Sequence, residues 1–229
     1  MSGSRDAVAI VPAYNEEATV ADVVRPLVAS DRFREVVVVS DGSEDLTADA
    51  ARAAGARVVE FDWNRGKGEA LAAGVATTDA SIVCFFDADL LGLEPRHAAE
   101  LLDSVVSGRC RMCIGMMDRG PFLNWLAGRL PKVSGQRALP REVFMAVPSR
   151  HRSGFGIEVA MNHVCTTGGG RIATRTLQGV RPRRKTQKVG IVCGFFGYVR
   201  MWYRVAACFI AVRLEGQEVR RAKGQVSLS

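Results

Sequence analysis

The sequence predicts an α/β protein with a mainly parallel sheet and helices on both faces of that sheet. In the first half of the chain, short apolar runs alternate with stretches of helical periodicity, and this order is typical of parallel strands joined by right-handed crossovers. The predicted strands lack polar alternation, which indicates that both faces of the sheet are covered. The 48% hydrophobic fraction can supply the core that such a sheet needs.

The predicted elements follow one another without long gaps. The strands are expected at 7–11, 35–39, 57–61, 82–86 and 112–115, and the helices at 16–30, 43–54, 67–76 and 95–106. Pro26 is expected to interrupt the first helix, because proline removes a helical hydrogen bond. Gly55 is expected to end the second helix, and His97 to lie on the surface of the fourth.

The composition changes after about residue 118, where Gly and Pro become frequent. We therefore divide the chain into 1–118, 119–187 and 188–229, the last segment being a predicted aromatic-rich helix and a polar tail. A basic block between Arg171 and Lys188 contains seven Lys and Arg residues and no acid, within a chain of formal charge +7. Such a block indicates phosphate, anionic lipid or nucleic acid as a partner, or simply a solvated face.

The cysteines and the first residues indicate a reducing compartment. Six cysteines stand mostly in apolar surroundings, which suits reduced thiols in the cytosol. Cys110 and Cys113 have the spacing of zinc ligands but no second pair follows, so core thiols are the favoured interpretation. Residues 1–6 are polar and lack the apolar region of a signal peptide. We therefore expect a cytoplasmic protein.

Asp87 and Asp89 directly follow the apolar run 82–86. Residues two apart in an extended chain point to the same side, so these two carboxylates would face one spot and repel one another. A bound Mg²⁺ or Mn²⁺ would relieve the repulsion, and such ions often take phosphate oxygens as further ligands. The sequence therefore predicts a metal and diphosphate site, and the alternative is a loop of solvated aspartates.

Two more polar segments, 12–16 and 40–43, follow the first and second predicted strands. Open α/β sheets bind their ligands at the carboxyl ends of the strands. Because all three polar segments stand at such ends, we expect them to form one site.

These segments resemble motifs of family-2 glycosyltransferases of the GT-A fold. The matching segments are Pro-Ala-Tyr-Asn-Glu at 12–16, Asp-Gly-Ser at 41–43, Arg-Gly-Lys-Gly at 65–68, Asp-Ala-Asp at 87–89, Ser-Gly-Gln-Arg-Ala-Leu at 134–139 and Gly-Phe-Gly-Ile-Glu at 154–158. The resemblance runs from about Val8 to Lys188 and includes polyprenyl-phosphate and phosphoglycerate-type members. It implies a GT-A sheet with a nucleotide-sugar-binding half (1–118) and an acceptor-side half (119–187).

The resemblance also implies an activity: transfer of a sugar from a nucleotide-diphosphate sugar to an acceptor such as polyprenyl phosphate, with Mg²⁺ or Mn²⁺ as cofactor. It places Pro12, Tyr14, Glu16 and Asp41 in the nucleoside pocket. Structural alternatives stay open, since Glu16 would also suit a helix N-terminus and Asp41 a turn.

The remaining site residues are assigned in the same way. Lys67 would meet the diphosphate at a helix start, or belong to an ordinary Gly-rich turn. Asp89 would be the metal ligand, and Asp87 would share the metal or contact the ribose. Glu158 would be a catalytic base or a capping acid.

Gln136 and Arg137 belong to the acceptor-side segments of the resemblance and would bind substrate. The sequence departs from the family pattern at two places. Ser40 stands where the family usually has Asp, and the stretch 180–183 lacks the His that related sequences often place there as a metal ligand. The metal would then rely on Asp89, the diphosphate and water.

The segment 188–213 is apolar and aromatic but carries Arg200 and Arg204. Beside the basic block, such a helix suits a peripheral position on an anionic membrane surface, and packing on the core or on a second subunit is the alternative. No uncharged apolar run reaches 18 residues, so a spanning helix is not expected.

Two other functions stay open at this point: a sugar-phosphate nucleotidyltransferase, and a non-catalytic nucleotide-sugar or RNA binder. Nucleic acid is disfavoured, because the chain has no RNA-stacking motif.

Overall fold

The structure, a computed structural model, describes residues 6–117, 134–151 and 156–183. Its strands are β1 (Ala7–Ala13), β2 (Glu35–Asp41), β3 (Arg57–Phe61), β4 (Ile82–Phe85), β5 (Leu90–Leu91), β6 (Met112–Met117), β7 (Arg137–Pro140), β8 (Ile172–Leu177) and β9 (Arg181–Pro182). Its α-helices are α1 (Val20–Ala29), α2 (Thr47–Ala53), α3 (Lys67–Ala76), α4 (Pro95–Val106), α5 (Arg141–Met145) and α6 (Gly156–Thr167).

Seven strands form one sheet in the order β3-β2-β1-β4-β7-β6-β8, and β5 pairs with β9 in a small second sheet. All neighbours in the large sheet are parallel except β7, which runs antiparallel to both β4 and β6. The large sheet therefore includes strands from both sides of residue 118, and the carboxyl ends of β1, β2 and β4 meet at one edge.

Apolar side chains fill both faces of this sheet because successive residues of each strand point to opposite sides. Ala7, Ala9 and Val11 of β1 pack into one buried cluster with α1, α2 and α4. Val8 and Ile10 pack into the other cluster with α3, α5 and α6. The mainly parallel sheet with helices on both faces is therefore confirmed.

Every strand and helix predicted between residues 7 and 115 is present in the structure, but several of their bounds differ. The bounds of β3, α3 and α4 match the predictions, whereas α1 and α2 begin four residues later than expected. The predicted interruption at Pro26 was wrong, because α1 continues through this residue to Ala29. Loss of one hydrogen bond is tolerated where the flanking residues Val23, Val24 and Leu27 are buried against the sheet.

The surface position predicted for His97 was also wrong, since this side chain is 1% exposed. Its Nδ1 accepts a hydrogen bond from the backbone N–H of Glu94 at 3.0 Å, as part of a capping box at the start of α4. The capping contact turns the ring toward the backbone, where neighbouring residues cover it. Burial, the main cause, and the charge of Arg96 lower the pKa of His97.

Cys110 and Cys113 are buried free thiols, as expected for core residues. Burial raises the pKa of Cys113 to about 11, so this thiol stays protonated near neutral pH. The predicted aromatic helix lies outside the described residues. Within the described ranges, every helix is too short or too polar to cross a bilayer.

Candidate active site at the carboxyl ends of β1, β2 and β4

A cavity of about 450 Å³ opens at the edge where β1, β2 and β4 end. It is lined by Pro12, Ala13, Tyr14, Glu16, Asp41, Asn64, Gly66, Lys67, Asp87, Ala88 and Asp89. The structure thus brings together in one cavity the residues predicted for the nucleoside, the diphosphate and the metal. Asn64 was missed by the sequence reasoning, although its place in the Gly-rich segment before α3 could have indicated it.

The loop after β1 is tied to the loop after β2 and to the start of α2. The backbone N–H of Glu16 donates to Thr47 Oγ1 at 2.8 Å, and the backbone N–H of Glu44 donates to Asn15 Oδ1 at 2.9 Å. Asn15 has a φ of 53°, in the left-handed region that asparagine tolerates better than most residues. These bonds fix the wall of the cavity that Tyr14 and Glu16 form.

Asp41, at the end of β2, holds the loop that leads into α3. Its two carboxylate oxygens accept the backbone N–H groups of Arg65 at 2.7 Å and Gly66 at 2.8 Å. The guanidinium of Arg65 in turn stacks over the rings of Phe61 and Trp63, 4.2 and 4.5 Å from their centroids. The β3–α3 loop is therefore fixed from both sides.

Lys67, the first residue of α3, bridges two acids that come from distant parts of the chain. Its Nζ lies 2.7 Å from Asp87 Oδ1 and 2.9 Å from Glu158 Oε1. Burial alone would lower the pKa of Lys67, but the negative charges of Asp87 and Glu158 outweigh it and raise that pKa above its usual range. Lys67 therefore stays a cation at the floor of the cavity.

Gln136 and Arg137 lie behind the cavity and are both fully buried. Gln136 Nε2 donates to Asp87 Oδ2 at 2.7 Å, so each oxygen of Asp87 accepts from a donor within the described part of the chain. Arg137 donates to the backbone oxygens of Ser134 and Glu158 and to Asn162 Oδ1. Burial lowers the pKa of Arg137, against the opposing effect of the Glu158 and Asp87 charges.

Glu158 stands on the first turn of α6, with its side chain 3% exposed. Its Oε1 accepts from Lys67, whereas its Oε2 is buried and has no hydrogen-bond partner among the described residues. A buried oxygen without a donor is costly, and it offers an acceptor to a hydroxyl group that reaches it.

Asp89 lines the cavity beside Asp87, and its position is fixed by the small sheet. β5 pairs with β9, and the backbone N–H of Arg183 donates to the carbonyl of Asp89 at 2.8 Å. In the described part of the chain no three His, Cys, Asp or Glu side chains group together as a metal-binding set. The carboxylate of Asp89 fits a divalent ion that takes its remaining ligands from phosphate and water.

The comparison with known families agrees with this geometry. The family model described as glycosyl transferase family 2 matches residues 8–165, more than half of the chain. The chain belongs to this family. The resemblance seen in the motifs is thereby confirmed.

Curated relatives of this chain are named for different compounds. The glucosyl-3-phosphoglycerate synthase of Mycobacterium tuberculosis is 33% identical over 187 residues, covering 76% of this chain and 47% of that protein. An undecaprenyl-phosphate 4-deoxy-4-formamido-L-arabinose transferase of Aeromonas hydrophila is 32% identical over 142 residues, covering 56% of this chain and 43% of that protein. The chain thus spans about half the length of these curated relatives.

A solved structure of a family relative shows the same fold. The crystal structure of the Mycobacterium tuberculosis synthase with Mn²⁺, UDP-glucose and phosphoglyceric acid superposes with a TM-score of 0.76 and 27% identity. The superposition covers 91% of this chain and 80% of that one. The predicted GT-A type of sheet is confirmed by this likeness.

Proposed function

We propose that this chain is a metal-dependent glycosyltransferase that moves a sugar from a nucleotide-diphosphate sugar to a phosphate-bearing acceptor. The observation that carries the proposal is the single cavity in which Asp87, Asp89 and Lys67 meet at the carboxyl ends of the strands. Family membership supports it, and so does the solved relative, which holds Mn²⁺ and UDP-glucose.

The donor would lie across the cavity from β1 to β4. Pro12, Tyr14 and Glu16 line the cavity at and after the end of β1 and would face the nucleoside. Asp89 would hold Mg²⁺ or Mn²⁺, which when bound neutralises charge on the departing diphosphate. In this proposal Asp87 would contact the ribose of the sugar nucleotide or share the metal with Asp89.

Glu158 is the proposed base for an acceptor that attacks through a hydroxyl. The buried Oε2 can accept the hydroxyl proton, while the bond from Lys67 to Oε1 keeps the carboxylate in place. An acceptor that attacks through a phosphate oxygen needs no base, so the requirement for Glu158 distinguishes the two acceptor classes.

The acceptor is proposed to carry phosphate because basic residues on and after β9 lie close to Asp89, the proposed metal ligand. Arg181 and Arg183 are exposed on and after β9, and the Arg183 backbone contacts Asp89 directly. The two relatives support this class, since one is named for 3-phosphoglycerate and the other for undecaprenyl phosphate. The predicted substrate contacts of Gln136 and Arg137 remain predictions, as does a homo-oligomer.

A donor panel tests the function. The protein is incubated with UDP-, GDP- and dTDP-sugars and Mn²⁺, with phosphoglyceric acid or a short polyprenyl phosphate as acceptor, and nucleoside diphosphate release is measured. Asp89→Ala should abolish acceptor-dependent release, whereas Asp22→Ala on the outer side of α1 should leave it unchanged. Release that persists in the Asp89 variant would contradict the metal assignment.

We further propose that the basic block docks the protein on anionic membranes, which would suit a lipid-phosphate acceptor. Arg175, Arg181 and Arg183 in this block are exposed, and each basic residue near an anionic leaflet contributes about 1 kcal/mol. Co-sedimentation with anionic vesicles should fall as salt rises, and Trp202→Ser should weaken it. A protein that stays in the supernatant at low salt would remove the membrane from the proposal.

A further inference from the structure

We infer that Ser134, Gly135 and Gln136, here called the Asp87 seat, position the Asp87 carboxylate and thereby act on the donor side of the reaction. The inference rests on the proposed function. It gives a donor-side role to a segment whose sequence resembles acceptor-side motifs, and it treats these three residues as positioning residues that act through Asp87.

The register of the sheet places the seat opposite Asp87. β7 pairs antiparallel with β4, with Phe85 opposite Arg137 and Ile82 opposite Pro140. Continuing that register by two residues past Phe85 places Gly135 opposite Asp87. The seat is thus brought to the carboxylate by strand pairing, although the two segments are far apart in the chain.

Gln136 fixes one carboxylate oxygen through a chain of polar contacts. Its Nε2 donates to Asp87 Oδ2 at 2.7 Å, while its Oε1 lies 2.7 Å from Ser134 Oγ. Ser134 Oγ also lies 2.5 Å from the carbonyl oxygen of Gly115, so its single proton serves one of these two acceptors at a time. Because Gln136 is fully buried, no bulk water competes for the contact with Asp87.

Gly135 makes room for the carboxylate. A Cβ at this position would stand 2.2 Å from Asp87 Oδ2 and 2.3 Å from Oδ1, distances that no pair of non-bonded atoms tolerates. Any other residue would therefore displace the Asp87 carboxylate from its contacts with Lys67 and Gln136. The glycine is required by this close approach and not by its backbone dihedral angles.

The first experiment replaces the amide by a carboxylate. In Gln136→Glu the new group faces Asp87, and two charged carboxylates repel one another. We expect the donor KM to rise roughly 10- to 100-fold, the range of one lost hydrogen bond to a charged group, while the acceptor KM stays within about twofold of the parent value. A role in acceptor contact would give the opposite pattern, and that result would overturn the inference.

A reciprocal exchange adds a signature that a merely structural role would not give. Combining Gln136→Glu with Asp87→Asn exchanges the amide and the carboxylate, so that one donor again faces one acceptor. The thermal unfolding midpoint of this double variant should therefore lie above that of Gln136→Glu alone and approach that of the parent. Because this measurement needs no substrate, it tests the seat even if the parent protein releases no nucleoside diphosphate, which would refute the proposed function alone.

The second experiment uses glycine variants. Gly135→Ala should raise the donor KM as Gln136→Glu does, but Asp87→Asn should not restore its unfolding midpoint. Gly170→Ala is the matched control, because its Cβ would also be crowded, 2.6 Å from Arg111 Cδ and 2.7 Å from the Cys165 carbonyl oxygen, away from the site. A parental donor KM in Gly135→Ala, or an unfolding midpoint of Gln136→Glu that Asp87→Asn does not raise, would show that Asp87 does not depend on this segment.

Discussion

Replacing Asp41 tests whether this residue acts mainly by holding the β3–α3 loop. In Asp41→Ala the backbone N–H groups of Arg65 and Gly66 lose their acceptors, which lie at 2.7 and 2.8 Å. Each buried donor left unpaired costs about 1–3 kcal/mol, so a dry site would lose roughly 2–6 kcal/mol. Because Asp41 lines the cavity, water can reach these groups, and we expect a loss of about 2–3 kcal/mol in the free energy of unfolding.

Equilibrium unfolding in urea measures this loss, provided that the slope with denaturant is unchanged. Asp41→Asn keeps one acceptor oxygen and turns an NH₂ group toward the other N–H, so its loss should lie between those of the parent and the alanine variant. Since the loop leads directly to Lys67, calorimetry should also show weaker binding of nucleoside diphosphate in both variants.

Asp45→Asn is the matched control for this series. Asp45 accepts backbone N–H groups of Glu17 and Thr47 outside the cavity, so its replacement should lower stability and weaken nucleotide binding less than Asp41→Ala does. If Asp41→Ala unfolds within about 0.5 kcal/mol of the parent, the two N–H groups do not depend on the carboxylate. The proposed holding role of Asp41 would then fail, whatever the nucleotide affinity.

Two other predictions concern catalysis and pH. Glu158→Gln should lower transfer to a hydroxyl acceptor by at least about 100-fold and spare transfer to a phosphate oxygen; equal losses with both acceptors, measured as initial rates, would remove Glu158 from the role of base. Although burial opposes it, hydrogen bonds from Thr47 and Glu17 lower the pKa of Asp45. The stability that Asp45 contributes is therefore present above its unfolded pKa of about 3.9 and is lost as the pH falls through the lower folded value. The difference in unfolding midpoint between the parent and Asp45→Asn should shrink below about pH 4, and a constant difference would show that the pKa is not lowered.

The part of the site that sequence reasoning found depends on local patterns. Tyr14, Asp41 and Asp89 each stand shortly after an apolar run, and parallel strands bring such ends together. Their place in one cavity therefore followed from the order of the strands. Lys67 was found for the same reason, since the Gly-rich start of a helix can be recognised without knowing what it contacts.

The contacts behind the cavity could not be found in that way. Gln136 meets Asp87 only because β7 runs antiparallel to β4 in one register, and a shift of one residue would turn Gln136 to the other face. Nothing within segment 134–140 encodes its partner strand. The surface position predicted for His97 was wrong for a different reason. The ring accepts a capping hydrogen bond from the backbone N–H of Glu94 instead of a bond from solvent.

The position of β7 has a consequence for the order in which the protein can form during synthesis. β6 precedes β7 in the chain, yet in the sheet it is separated from β4 by β7. Until residues 137–140 have left the ribosome, the apolar β4 therefore has one unpaired edge, and β6 has no place in the sheet beside it. The unpaired N–H and C=O groups of such a strand edge can pair with strands of other chains. A nascent or truncated chain that ends before β7 is expected to aggregate or to engage chaperones, although all the described residues that line the cavity are already present in it.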